Sequence, residues 1–478
     1  MLIRNGEVAG RRADLRIGEG RIVEIAPTLA PRASEPVFDA EGGALLRGLH
    51  DHHLHLLALA ARLDSIDCGP PRVETRAELE AAIARATPDD TGWLRGADYF
   101  ESVAGDLDRD ALDALCPDRP LRIQHRSGAL WMLNSAALSR IGLDGSDPDP
   151  TPTGVDRDGT GRPTGRLFRV DEWLRARLPD RGTPDLGRVG RLLAACGVTG
   201  VTDATPSNDA RTRATLRGAR REGALPQRIR LMGGLELASL GDDAGLTIGE
   251  HKRLLDEPAL PGLDGLVAAI RSAHDQGRAI ALHAVTRLEL HFALAALDEA
   301  GAQAGDRIEH ASVAPPETIE TTRRLGLTIV TQPGFVFERG DAYRAHVDRD
   351  DQPHLYRLRS WVEADVPLAG GTDAPFGDPD PWQAMRAAVE RRTRTGESLG
   401  ASEALSPEAA LALFAPPDAT GRPAASAVRD ALASGRAPAP RVGEPADLCL
   451  LDASWSRVRE DLARAHVAAT FLAGERIA

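Results

Sequence analysis

The chain has 478 residues, of which 42% are hydrophobic and 27% charged, a composition typical of a soluble globular protein larger than one ordinary domain. Its net charge of −13 is spread along the chain, which argues against a nucleic-acid-binding or anionic-membrane surface. The four cysteines form no CxxC pair, so neither a disulfide framework nor a thiolate zinc site is indicated. The start has no leader-like apolar core and no apolar run reaches membrane length, so we expect a cytoplasmic protein.

Both ends of the chain predict short strands and turns. The strand candidates are Ala13–Ile17, Arg21–Ile25, Ala446–Leu451 and Val467–Leu472. Neither end is long enough to bury a core alone. We therefore expect residues 1–47 and 424–478 to meet in one small β domain, with residues 48–423 inserted between them.

Directly after the first segment, four of the 13 histidines fall within six residues. Side chains two apart on a strand share a face, so His53 and His55 point the same way, and neutral imidazoles on one face suit zinc. His50 and His52 have the same spacing on the opposite face and remain an alternative. We favour His53 and His55, because they lie nearer the end of the strand and leave Asp51 as a supporting group.

The next segment, from about 69 to 190, is less regular. It contains helix-like Arg76–Ile83, strand-like Leu121–Gln124 and the aromatic Trp93. Excursions of this size from a main fold often shape substrate pockets. We expect an insertion, with Trp93 as a candidate pocket residue.

After residue 190 the pattern alternates between strands and helices. The candidate strands are Gly197–Thr205, Arg228–Gly234, Leu246–Leu254, Arg278–His283, Asp306–Ala311, Leu327–Gln332 and Val366–Asp373. Together with the strand that carries His53 and His55 they make eight, the number in a closed parallel (β/α)₈ barrel. Barrels of this kind carry their chemistry at the C-terminal ends of the strands.

Those ends hold His283, His310 and Asp373, and Lys252 lies on another candidate strand. Lys252 is the only lysine among the 58 basic residues of the chain. Unlike arginine, a buried lysine can lose its proton and act as a nucleophile, for example towards carbon dioxide. A position that kept lysine is therefore a candidate for a chemical role.

This ordered set resembles the metal-dependent amidohydrolase superfamily, and in particular its branch containing N-substituted formamide deformylase. The matching motifs are Gly48-Leu49-x-Asp51-x-His53-x-His55, Gly197-Val198-Thr199-x-Val201-Thr202-Asp203, the segment around Lys252, His283, Arg307-Ile308-Glu309-His310, Gly371-Thr372-Asp373 and Gly443-Glu444-Pro445-Ala446-Asp447-Leu448. The resemblance implies a (β/α)₈ barrel over residues 48–423, a long insertion after its first strand, and a composite β-sandwich built from residues 1–47 and 424–478.

The resemblance also implies a site for one or two divalent metal ions, zinc or a similar ion. Its ligands would be His53, His55, Lys252, His283, His310 and Asp373. Lys252, carboxylated by carbon dioxide, would bridge two ions, with His53 and His55 on one ion and His283 and His310 on the other. Asp373 would also be the catalytic residue, taking a proton from the nucleophile and passing it to the leaving nitrogen.

The expected activity is hydrolysis of a carbon–nitrogen bond in a small molecule of amide, formamide or cyclic imide type. A divalent metal supplies hydroxide at neutral pH by lowering the pKa of bound water from ~15.7 towards ~7. Gln332 and Phe335 are further candidates for substrate binding. Ser127-Gly128-Ala129 and Arg169 depart from the relatives, which have Asp-Gly-His and often glutamate there, so formamide specificity does not transfer.

Other outcomes stay open. The same metal barrel could act as a deaminase or as a lactone or ester hydrolase, or it could be a non-catalytic metal-binding relative. The partner we expect is a small-molecule substrate, without nucleic acid or membrane. The oligomeric state is open, with a homodimer as one alternative.

Overall fold

The computed structural model describes residues 1–143, 151–180 and 182–478. Two compact units divide the chain: Met1–Leu56 together with Leu186–Ala478, and Leu57–Asp185. The insertion predicted over about 69–190 overlaps the second unit. Within the described ranges, none of the helices combines the length and apolar character needed to span a membrane.

The first unit contains an eight-stranded parallel sheet whose strands follow chain order. They are β1 (Leu49–Leu54), β2 (Val198–Asp203), β3 (Arg228–Gly233), β4 (Leu246–Leu254), β5 (Ile280–Ala284), β6 (Arg307–His310), β7 (Thr328–Thr331) and β8 (Leu368–Gly370). The two outer strands meet where Asp373 N donates to His53 O at 2.8 Å. The predicted parallel α/β barrel is thereby confirmed, with all eight candidate strands present.

Helices join the barrel strands and continue after β8. The α-helices of the first unit are Leu186–Ala195, Ala210–Arg221, Leu263–Asp275, Arg287–Ala300, Pro316–Leu325, Gly334–His346, Arg359–Glu363, Pro381–Glu390, Pro407–Ala412, Ala427–Ser434 and Trp455–Val458. Shorter 3₁₀ turns are Leu235–Leu240, Glu257–Ala259, Gln352–His354, Ala401–Glu403 and Leu462–Arg464. The helix after β5 begins with a capping box, in which Thr286 and Glu289 each accept from the other's backbone N–H. This cap fixes the path of the chain directly after His283.

The two chain ends form two four-stranded sheets. The first contains Leu2–Val8, Arg11–Gly18, Arg21–Ala26 and Val37–Asp39, and the second contains Leu45–Arg47, Leu448–Leu451, Val467–Leu472 and Glu475–Arg476. Leu45–Arg47 pairs antiparallel with Leu448–Leu451, so one sheet takes strands from both ends of the chain. Ile3, Leu15 and Phe471 belong to one hydrophobic cluster. Neither end could bury this core without the other.

The second unit has its own sheet and its own hydrophobic core. Its strands are Ile66–Asp67, Leu94–Tyr99, Leu121–His125, Leu130–Leu133, Val155–Arg157 and Pro163–Phe168. Its helices are Arg76–Arg85, Arg109–Leu115, Ser135–Arg140 and Asp171–Arg175, and the helix Leu56–Leu63 begins at the boundary between the units. Trp93 is buried beside Trp131 and Leu133, so its side chain is part of this core.

Candidate metal centre

Two histidines and an aspartate converge where β1 and β8 end. One donor atom each from His53, His55 and Asp373 lies within 4.8 Å of the others, the one such group of three found among the described residues. His55 Nε2 is 3.2 Å and His53 Nε2 is 3.5 Å from Asp373 Oδ1. His53 and His55 were predicted to share one face of the strand, and both imidazoles do lie against one carboxylate.

The protonation of His53 follows from its surroundings. Burial lowers the pKa of His53 to about 3, so the imidazole is neutral at physiological pH. Burial opposes ionisation of Glu309, but the charges of Arg307 and Lys252 and the hydrogen bond from His53 hold the pKa of this carboxyl well below its usual value. His53 Nδ1 lies 2.5 Å from Glu309 Oε2 and must carry the proton that it donates to this carboxylate. His53 Nε2 is therefore bare, and it lies 3.5 Å from Asp373 Oδ1.

Two further histidines have their Nδ1 atoms held in a similar way. His55 Nδ1 lies 2.8 Å from Thr205 Oγ1, and His310 Nδ1 lies 2.7 Å from Gln332 Oε1. Histidines that bind metal usually donate their other ring N–H to a neighbouring oxygen, which fixes the ring and frees one nitrogen. His310 is thus oriented as a metal ligand is, whereas the hydrogen bond between His55 Nε2 and Asp373 Oδ1 leaves His55 Nδ1 to accept from Thr205.

His283 and Lys252 complete the cluster. The ring of His310 has its centroid 4.4 Å from that of His283 and 4.8 Å from that of His53. Lys252 is 3% exposed, and its Nζ has no hydrogen-bond partner in the described part of the chain. Burial lowers the pKa of Lys252 to about 8, against the opposing charges of Glu309 and Asp373. The six candidate ligands therefore lie within electrostatic range of one another.

Asp373 stays ionised in this setting. Burial would raise the pKa of this carboxyl, but the hydrogen bond from His55 and the nearby rings of His53 and His310 hold it below its ordinary value. Asp373 adopts φ +57°, and His310 adopts φ +71°, in the left-handed region that non-glycine residues rarely occupy. Such conformations cluster at functional sites, where the surrounding structure over-determines them.

Asp51 holds the backbone of the centre through three hydrogen bonds. Its carboxylate accepts from Thr372 Oγ1 at 2.5 Å, Thr372 N at 3.1 Å and His53 N at 3.0 Å. Burial raises the pKa of Asp51 to about 7, which these hydrogen bonds partly oppose. Asp51 therefore ties the strand that carries His53 to the loop that carries Asp373.

The alternative pair of histidines has other partners. His50 Nε2 lies 2.9 Å from Thr202 Oγ1, and His52 Nε2 donates to Ala415 O at 2.9 Å. Neither belongs to the group formed around Asp373.

The remaining candidates have different settings. Gln332 is fully buried and binds His310, whereas Phe335 packs against Tyr356 with the guanidinium of Arg339 4.1 Å above its ring. Sequence reasoning gave no role to Glu309, although it lies in the quoted Arg307-Ile308-Glu309-His310 motif. Its signal was an arginine and a glutamate two apart on a predicted buried strand, which implies an ion pair on one face.

A cavity of about 300 Å³ lies beside the segments that directly follow His283 and His310. Its lining includes Val285, Ser312 and Val313. These residues follow the strands that carry the two histidines in the sequence, but the lining of the cavity includes none of the six candidate ligands.

Comparison with known proteins places this architecture in a family. Residues 36–478 match the amidohydrolase family model. The chain is 27% identical over 458 residues to N-substituted formamide deformylase of Arthrobacter pascens, covering 84% of each protein. An uncharacterised metal-dependent hydrolase of Pyrococcus horikoshii OT3 superposes with a TM-score of 0.73 at 21% identity, over 97% of this chain and 99% of that one.

A second solved structure has a similar fold. Atrazine chlorohydrolase TrzN of Arthrobacter aurescens TC1, determined with zinc, superposes with a TM-score of 0.54 at 16% identity, over 100% of this chain and 94% of that one. These structural likenesses concern the fold. The match to the family model spans most of the chain and includes both the barrel and the candidate metal centre. The chain therefore belongs to the amidohydrolase family and is a hydrolytic enzyme for carbon–nitrogen bonds other than peptide bonds.

Proposed function

We propose that the centre binds one or two divalent metal ions of the zinc type and hydrolyses an amide, formamide or cyclic imide of a small molecule. The observation that carries the proposal is the bare Nε2 of His53, 3.5 Å from the ionised Asp373 Oδ1. Two electron-rich atoms close together in a buried site favour a cation between them. The names of the formamide deformylase relative and of the zinc-containing TrzN support this chemistry.

The donor set fits a zinc-type ion, since imidazole nitrogens and carboxylate oxygens are its usual ligands. His53, His55 and Asp373 would hold one ion, while His283 and His310 would hold a second. When bound, the metal would polarise the substrate carbonyl and lower the pKa of water. Asp373 would accept a proton from the attacking water at Oδ1 and give it to the leaving nitrogen, as the water oxygen bonds to the carbonyl carbon and the carbon–nitrogen bond breaks.

The test combines metal content with turnover of amides, imides and lactones. We expect the wild-type enzyme to contain zinc or a similar ion and to hydrolyse at least one amide or imide. Asp373→Asn should lower kcat at least about 100-fold on that substrate, because the proton acceptor is lost. If Asp373→Asn retains its metal and every wild-type activity, the proposal is wrong.

Asp306→Asn is the matched control. Asp306 is also fully buried, but it accepts from Ile280 N and lies at the opposite ends of the barrel strands, before β6 begins. This variant should lower the melting temperature and leave kcat of the folded enzyme unchanged. A loss of kcat equal to that of Asp373→Asn would mean that any buried carboxylate has the same effect.

We also propose that Lys252 carries a carbamate that bridges two metal ions. Its buried Nζ without a hydrogen-bond partner and its lowered pKa support this role, because carbon dioxide adds to the neutral amine. Lys252→Arg keeps the positive charge of an unmodified, protonated lysine but cannot form the carbamate, so it should reduce the metal content from two ions to one. Metal analysis would measure the ion content, and native mass spectrometry with ¹³C-labelled bicarbonate would measure the carbamate. An arginine variant that is active with two ions would contradict the bridge.

The terminal sheets carry a structural proposal. We propose that they form the composite β-sandwich implied by the family resemblance. The hydrophobic cluster that joins Ile3 and Leu15 to Leu450 and Phe471 supports this arrangement.

A further inference from the structure

Gln332 is a fully buried side chain of which only one end is engaged. Its Oε1 lies 2.7 Å from His310 Nδ1, whereas its Nε2 has no hydrogen-bond partner in the described part of the chain. The large majority of buried side-chain polar atoms in proteins are paired. Gln332 follows β7 directly, at the same end of the barrel as His310 and Asp373. The unused amide therefore belongs to the region of the metal centre.

The chemistry of His310 fixes which end of the amide is free. If Nε2 of His310 binds a metal, Nδ1 carries the proton and donates it, so the atom that it meets must be the oxygen of Gln332. The opposite orientation would place an N–H group against another N–H group. The NH₂ group of Gln332 is therefore the unengaged end, with two protons to donate.

We infer that Gln332 has two roles: its oxygen orients His310, and its NH₂ group donates a hydrogen bond to the carbonyl oxygen of the substrate amide. The inference rests on the proposed function. A substrate carbonyl held at the metal centre would lie near Gln332, because Gln332 contacts His310, one of the candidate ligands. A donor here would strengthen its hydrogen bond as negative charge develops on the oxygen during attack. The predicted substrate class is therefore one whose scissile group carries a strong oxygen acceptor.

Two variants separate the roles. Gln332→Glu keeps an oxygen for His310 and removes the N–H donor, whereas Gln332→Met removes both at similar length. Each is compared with the wild-type enzyme in zinc titration of the metal-free protein. Each is also assayed with zinc in excess, using the panel amide of highest kcat/KM and the corresponding thioamide, whose sulfur is a poor hydrogen-bond acceptor.

For Gln332→Glu we expect zinc affinity equal to or higher than that of the wild type, because a carboxylate still accepts from His310 Nδ1 and raises its basicity. We expect a loss of kcat/KM of at least about tenfold on the oxygen amide. The loss on the thioamide should be less than about threefold, because the wild-type enzyme makes only a weak hydrogen bond from Gln332 to the sulfur. Gln332→Met should show the same kinetic loss and in addition bind zinc about tenfold more weakly, since His310 is no longer oriented.

Three results would overturn the inference. Wild-type kcat/KM of Gln332→Glu on the oxygen amide, or equal losses on both substrates, would show that the NH₂ group of Gln332 does not donate to the substrate carbonyl. Weakened zinc binding by Gln332→Glu would contradict the orientation of His310 by the oxygen. If the wild-type enzyme hydrolyses no amide and no imide, the proposed function is overturned, and the inference with it.

Discussion

Glu309 is the residue on which the electrostatics of the centre depend most. It pairs with the buried Arg307, whose Nη2 donates to Glu309 Oε2 at 3.1 Å, and it accepts the proton of His53 Nδ1. Carboxylates that accept from metal-binding histidines fix the tautomer and raise the basicity of the other ring nitrogen. Glu309 thus prepares His53 for a cation without being a ligand itself.

We predict that Glu309→Gln weakens zinc binding about 10–100-fold, because the neutral amide no longer supports the basicity of His53. Competition with a chromogenic chelator would measure this affinity. Glu250→Gln is the matched control, because Glu250 is also buried and accepts from Arg230 Nη2 at 3.0 Å. Both variants should lower the melting temperature, since each breaks a buried ion pair.

Only Glu309→Gln should change zinc affinity, because Glu250 accepts no hydrogen bond from a candidate ligand among the described contacts. Equal weakening by both variants would show that the effect is general loss of stability. Unchanged zinc affinity in Glu309→Gln would contradict the role of Glu309.

The helix Gly334–His346 connects several parts of the candidate site. It begins two residues after Gln332 and carries Phe335 and Arg339. Glu338 on this helix accepts from Asp378 N at 3.1 Å, in the loop that follows Asp373. The helix therefore contacts the same loop that Asp51 of β1 holds through Thr372.

Glu338 also makes this helix sensitive to pH. Burial raises the pKa of Glu338 from 4.5 to about 7, so the folded state favours the protonated carboxyl. Below pH 4.5 both states are protonated; between about pH 4.5 and 7 the unfolded chain ionises first, and stability falls as the pH rises. Above pH 7 the carboxyl is ionised in both states, and stability no longer falls with pH through this group.

We predict that Glu338→Gln stabilises the enzyme by up to about 3 kcal/mol at pH 8 and has little effect at pH 4.5, since each unit of pKa shift corresponds to about 1.4 kcal/mol. The glutamine can still accept from Asp378 N. Melting temperatures of variant and wild type, compared at each pH, would test this. A difference that does not grow between pH 4.5 and 8 would contradict a buried carboxyl with a raised pKa.

The chain of the first unit closes on itself in two places. The loop after β8 meets β1 through Asp373 and His53, and the strand Leu45–Arg47, which leads directly into β1, is paired with Leu448–Leu451. Arg228 Nε on β3 also donates to Asp447 Oδ2 at 2.6 Å. The histidines of β1 are therefore held from the N-terminal side by the last part of the chain.

The amino-acid sequence was sufficient for the barrel and for the positions of the candidate ligands. Apolar runs of strand length predicted all eight strands, because strands covered on both faces need continuous buried side chains. Strand spacing favoured His53 and His55, and the lone lysine singled out Lys252. These inferences used local periodicity and residue chemistry, which can be identified from a single sequence.

The hydrogen-bond partners of the ligands were decided only by the tertiary structure. Glu309 reaches His53 across the barrel, Gln332 reaches His310 from the neighbouring strand, and Thr205 reaches His55 from the end of β2. Strand alternation would place His310 on the face opposite Glu309, but its positive φ interrupts that alternation. Barrel closure and one left-handed residue thus set the partners, because both bring together groups that lie far apart in the sequence.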